Sequence, residues 1–144
     1  MTDWTRQQRR WLRGGIAVLA FTPAFVGIWA TVSPRGFYDD FPGGGRHWVS
    51  AVGAYDEHLV RDVGALYHGA LVLLVFAWMW LDRRVVQVAL VSYAVAALPH
   101  LIYHCTALEG FSTGDAVAEI GGLALNVVLP LGLLPITRAR TVTA

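Results

Sequence analysis

The sequence contains no lysine and a single cysteine, Cys105. One thiol excludes a disulfide framework within the chain and a cysteine-based zinc knuckle. Charge is scarce as well: charged residues are 15% of the 144, against about a quarter in soluble domains. The eleven basic residues, all Arg, stand against ten acids. That near-balance offers no polyanion-binding surface, so nucleic acid is excluded as a partner. What the chain has in excess is apolar side chains, at 56%, with a mean hydropathy of +0.50. Disorder is excluded on the same ground.

The apolar residues gather into four stretches, 14–32, 63–81, 85–103 and 117–136. His68, His100 and Glu119 are the only histidine or charged residues inside them before the flanking turns. Each stretch has about 19 residues, which as a helix spans roughly 28 Å, enough for a bilayer core. Backbone in hydrocarbon must satisfy its own hydrogen bonds, and helices do so. The expected fold is therefore all-α: an antiparallel four-helix transmembrane bundle forming one integral membrane domain over 1–144. Short connections favour an up-down-up-down order. No stretch shows the polar stripe of a soluble bundle helix.

Arginine placement predicts direction. Arg6, Arg9, Arg10, Arg13, Arg83, Arg84, Arg138 and Arg140 fall on one side, and Arg35, Arg46 and Arg61 on the other. The positive-inside rule then predicts a multi-pass plasma-membrane protein with both termini cytoplasmic. The first stretch is too long for a signal peptide and no small-x-small cleavage site ends it, so it reads as an uncleaved helix. Trp4, Trp11, Trp78 and Trp80 on one side, with Trp29, Trp48, Tyr55 and Tyr103 on the other, suit an interfacial aromatic belt. Ala65 with Gly69, and Ala118 with Gly122, have the small-xxx-small spacing of close helix packing. Pro23, Pro99 and Pro130 are expected to kink or open their helices.

One connection is long, the outer loop 33–55. Loops of this length are functional or disordered. Its aromatics, Phe37, Tyr38, Phe41 and Trp48, argue for order, either as a cap on the bundle mouth or as an interfacial anchor. Gly43, Gly44 and Gly45 are no phosphate cradle, because no strand precedes them and no Lys-Ser/Thr follows.

The polar residues of the outer side carry the chemistry. All five histidines, His47, His58, His68, His100 and His104, are expected there. His58 and Asp62 lie at i, i+4 near the start of the second span, so they share a face. His100 and His104 do the same at the end of the third. On antiparallel neighbours the two pairs lie at similar depth, and Glu119 enters the fourth span nearby. Three imidazoles with one or two carboxylates make a transition-metal ligand set for zinc, copper or iron: His58, Asp62, His100, His104 and Glu119. Ionisable groups within a span are costly and mark candidate functional sites. His68 lies off the His58–Asp62 face and is left out of that set. Asn126, at mid-span, suits a helix–helix hydrogen bond. The rival reading is a structural polar network in an accessory subunit of a larger respiratory or transport complex, without its own cofactor. Non-covalent haem between His58 and His100 is a further alternative, because the Cys-x-x-Cys-His attachment motif is missing. No enzyme chemistry is assigned: Ser92 lies too far down the third span to join a zinc-hydrolase site, and adjacent His104 and Cys105 point apart on a helix.

Several stretches together carry a resemblance. They are Phe37-Tyr38-Asp39-Asp40-Phe41-Pro42-Gly43, Arg46-His47-Trp48-Val49-Ser50, Glu57-His58-Leu59-Val60-Arg61-Asp62-Val63-Gly64, and Pro99-His100-Leu101 with His104. In these the chain resembles a set of small actinobacterial four-span membrane proteins, and its general layout is similar to that of DoxX-like membrane proteins. The resemblance implies a membrane bundle in the lipid bilayer, alone, as a homo-oligomer or within a larger complex, and implies no particular reaction.

Overall fold

A computed structural model describes residues 4–138, whose regular elements are all helices, joined by turns and irregular chain over 41–56 and 107–112. Helix α1 is Arg6–Val32, α2 Pro34–Asp40, α3 Glu57–Trp80, α4 Arg83–Thr106 and α5 Thr113–Leu133, followed by a 3₁₀ turn over Leu134–Thr137. Four of these, α1, α3, α4 and α5 with its 3₁₀ extension, are long and apolar enough to cross a membrane. The protein is thus an antiparallel four-helix membrane bundle. Arg140 of the orientation argument lies outside the described residues.

The helices begin where the chain supplies caps. Thr5 and Gln8 form a reciprocal capping box on α1. Asp56 accepts from the Leu59 amide, Asp82 from Arg84 and Val85, and Ser112 from Asp115. Each cap satisfies amides that the first helical turn leaves without partners. The helices therefore run beyond the apolar stretches: α1 starts in the Arg6–Arg13 segment, which hydropathy alone leaves out. The α3–α4 turn is made by Leu81 in the left-handed region at φ 46°. A branched residue there costs about 1–2 kcal/mol, and Leu81 offsets it by burying its side chain in the core, at 3% exposure.

Helix α1 packs along α3, and α4 along α5; the two pairs meet through the narrower α3–α4 and α1–α5 seams. The closest approach is within the first pair. A Cβ on Gly64 would lie 3.1 Å from the Thr31 amide nitrogen and 3.2 Å from the Gly27 carbonyl. By contrast, a Cβ on Gly69 or Gly122 would meet nothing within 4 Å. The expected small-residue contacts at these two glycines are therefore replaced by the Gly27–Gly64 contact, because both open onto space instead of onto a neighbouring helix.

The two ends of the bundle differ. At the end where the described residues begin and stop, the termini end, which also holds the α3–α4 turn, a continuous core includes Leu12, Ile16, Leu74, Val86 and Leu90. Trp4 belongs to this core at 6% exposure and donates to the Thr137 carbonyl, so it is not a belt residue. Trp11 and Trp80, at 61% and 62% exposure, keep the character of interfacial aromatics. At the opposite, loop end the core shrinks to Val26, Ala30, Phe37 and Val60, all on α1, α2 and α3. The long connection is ordered: α2 starts on Pro34, seats Phe37 in this small core, and sets the tilted Phe41 ring against Phe37 with ring centroids 4.9 Å apart. Of the two expectations for this loop, the cap on the bundle mouth describes it.

Candidate functional site

The thin core of the loop end leaves a cleft between the α1–α3 and α4–α5 pairs. Its main chamber, about 520 Å³, is lined from all four long helices and from the loop residues Phe41 and Trp48. A second chamber of about 430 Å³ opens between α3 and α4. Val63, Tyr67, His100, Leu123 and Asn126 line both, so the chambers adjoin. This size and apolar lining are those of a small-molecule site.

The ionisable side chains of the cleft come from α4 and α5, while Thr22 of α1 and Tyr67 of α3 add hydroxyls to its lining. His104, one turn after His100, ends α4 at the loop end, and Glu119 faces it from the second turn of α5. His104 Nδ1 lies 2.9 Å from Glu119 Oε1, with only 10% and 6% of the two side chains exposed. The pair is close enough for an ion pair yet outside hydrogen-bond alignment, and both His104 Nδ1 and Glu119 Oε2 are buried without a hydrogen-bond partner. The His100 ring sits against His104, with centroids 4.6 Å apart, and lines both chambers. Deeper, Tyr93 donates to Asn126 Oδ1 at 2.8 Å, and Asn126 donates to the Gly122 carbonyl at 2.9 Å. Asn126 thus makes the expected interhelical hydrogen bond, and its polar atoms are accounted for.

The five residues of the expected ligand set fall into two groups. His100, His104 and Glu119 come together in the cleft. His58 and Asp62 come together with each other, His58 Nε2 lying 3.2 Å from Asp62 Oδ2, on a face where the His58 side chain is 88% exposed. Neither residue lines the cleft. Arg61, next to Asp62, turns the other way, pairing with Glu57 and donating to the Thr31 carbonyl at the end of α1. Among the described residues no three His, Cys, Asp or Glu side chains form a group that could hold a metal ion. His68 lies against Gly27 of α1, and His47 Nδ1 meets the Asp39 carbonyl within the loop.

One residue at the cleft mouth was not singled out by spacing. Asp115, in the first turn of α5, accepts from Arg46 Nε at 2.8 Å and from Trp48 Nε1 at 3.1 Å. Its other oxygen accepts from the Ser112 hydroxyl at 2.6 Å. These bonds fasten the loop, which otherwise packs with α1 and α3, to the α4–α5 pair. They form a latch across the watery side of the cleft. The Ser112-x-x-Asp115 pattern is readable as a helix start, but nothing local marks partners that lie 69 and 67 residues away.

The chain matches no protein-family model, no curated protein and no solved structure.

Proposed function

We propose that this protein is a membrane-embedded binding protein whose site is the loop-end cleft, with the His104–Glu119 pair as its polar anchor. One observation carries the reading. Two polar atoms, His104 Nδ1 and Glu119 Oε2, are buried at a cavity wall with no hydrogen-bond partner. A buried polar atom without a partner costs about 1–3 kcal/mol. A bound ligand supplies that partner, and the adjoining apolar chambers supply the room for its body. Arginine placement favours the loop end as the exterior face, which would put the cleft in the outer half of a plasma membrane.

The test is the small-molecule content of the protein purified in mild detergent. The reading expects close to one organic ligand per chain, displaced or absent in Glu119→Leu. A purified chain with an empty cleft and full thermal stability would contradict it.

A transition metal is the second reading, favoured by the 2.9 Å approach of His104 to Glu119 and the His100 ring edge-on to His104. Zinc, copper or iron there would use these three side chains with an open position, after His100 turned its nitrogen toward the pair. Elemental analysis separates the readings, since metal near one per chain, lost in His100→Ala, supports this one. A Soret band would move the assignment to haem. Neither signal, together with a co-purifying membrane protein, would favour an accessory subunit.

A further inference from the structure

Resting on the reading of the cleft as a ligand site, we infer that its occupant is a bilayer amphiphile whose head donates a hydrogen bond, a hydroxyl or an amine, to Glu119. The head-group chemistry follows from the geometry of the pair. At 2.9 Å, His104 Nδ1 and Glu119 Oε1 cannot both present bare lone pairs. The pair therefore carries at least one proton, on nitrogen or on oxygen. Glu119 Oε2 keeps lone pairs in every protonation state of the pair, so a donor is a partner it can always accept. A carbonyl, ether or ester head leaves an ionised Oε2 as it is.

The source follows from the walls. On the watery side the cleft is covered by Phe41 and Trp48, and the loop is fastened by Arg46 and Trp48 to Asp115. On the bilayer side its rim is apolar and open: Val18 and Phe21 of α1 and Leu125 of α5 line the chamber and are 52%, 68% and 50% exposed. Phe21 and Phe25 stack at that rim with ring centroids 5.8 Å apart. A ligand reaching Glu119 by this route passes between acyl chains and side chains without meeting water, so it arrives from the bilayer. Its tail rests on Phe25, Leu123 and Val63, and its head meets Glu119 below the latch.

The experiment uses the full chain in phosphatidylcholine vesicles and a photoreactive pair of probes, a diazirine-bearing octanol and its methyl ether. Labelled positions are mapped by mass spectrometry, with the yield read at cleft positions other than Glu119 itself. The inference expects the octanol to label the cleft, excess dodecanol to compete, and the ether to label it about tenfold less, the scale of one charge-assisted hydrogen bond. Glu119→Leu should remove the difference between the two probes. The ether comparison needs only the unaltered chain, so it stands even if that variant fails to insert. Equal cleft labelling by both probes overturns the donor head and leaves the cleft as a ligand site. Labelling spread over the lipid-facing surface with no enrichment in the cleft, as when bulk lipid or a second copy of the chain fills it, overturns both.

Discussion

The termini end and the loop end of this bundle use the same kinds of residue to different effect. At the termini end the polar groups find partners within the chain. Trp4 donates to the Thr137 carbonyl, Gln8 to that of Ile136, and Gln87 to the Thr137 hydroxyl. The apolar groups there, such as Leu12, Val86 and Leu90, are fully buried. At the loop end His104 and Glu119 are nearly as buried but leave atoms unpartnered, and the helices beside them part. In lipid, helices gain little from hiding apolar surface and hold together by close packing and interhelical hydrogen bonds. The α1–α3 pair keeps its close approach at the loop end, at Gly27 and Gly64, but the seam between the two helix pairs forgoes both there and leaves room for a ligand. On the proposed reading, the contrast places the ligand site at the loop end and the continuous core at the termini end.

The strongest way to break this contrast is a cavity at the closed end. Leu90→Ala, at a fully buried position, should lower the unfolding free energy by about 2–4 kcal/mol. Leu123→Ala, which only enlarges an existing cleft, should cost less than about 1 kcal/mol. Thermal unfolding in detergent checks both, and equal losses would mean that the loop end is packed as tightly as the termini end.

The second test sharpens the contrast along one helix. Gly64→Val should cost about 1–3 kcal/mol, because the new Cβ meets the backbone of Thr31 and Gly27, which cannot yield as a side chain can. Gly69→Val, little more than a turn further along α3, faces open space and should stay within about 0.5 kcal/mol of the parent. A reversed order would misplace the seam between α1 and α3.

These two glycines also show how much was legible in the sequence. Four spans, their antiparallel order and the i, i+4 pairs were readable, because they depend on hydropathy and helical period. The rotation of each helix was not. Apolar residues surround α3 on every side, so no stripe says whether the His58–Asp62 face or the Val63–Tyr67 face turns to α4. That is why the expected five-residue ligand set divides, with His58 and Asp62 paired at the surface and His100, His104 and Glu119 at the cleft. The small-xxx-small pattern had the same weakness: it marks where a helix can be approached, not which helix approaches. Helix α2 and the Asp115 latch rest on long-range contacts that leave no local periodicity.

The third test concerns the buried pair. Replacing both members of a buried polar pair by apolar groups of similar volume is often neutral or stabilising, whereas removing one leaves the other uncompensated. The double change His104→Leu with Glu119→Leu should therefore leave the ligand-free protein unchanged or more stable by about 1–2 kcal/mol, while removing the added stability that a bound amphiphile confers. A loss of stability in the ligand-free double variant would mean that the pair itself holds α4 and α5 together. The smallest effect is expected at the latch. Asp115→Asn keeps the shape and removes the charge that holds Arg46. Thermal stability should hardly move, while a cysteine placed at Leu123 in a Cys105→Ser background should react with a membrane-permeant maleimide about two to five times faster.

The most direct measurement is native mass spectrometry of amphiphile retained by three versions of the chain: unaltered, Gly122→Leu and Gly14→Leu. A side chain at Gly122 enters the cleft, and one at Gly14, also in open space, lies away from it. The account predicts about one retained amphiphile per chain in the unaltered protein and in Gly14→Leu, and none in Gly122→Leu. Equal retention by all three would contradict it, because the bound lipid would then lie on the outer surface and the cleft would not be a site.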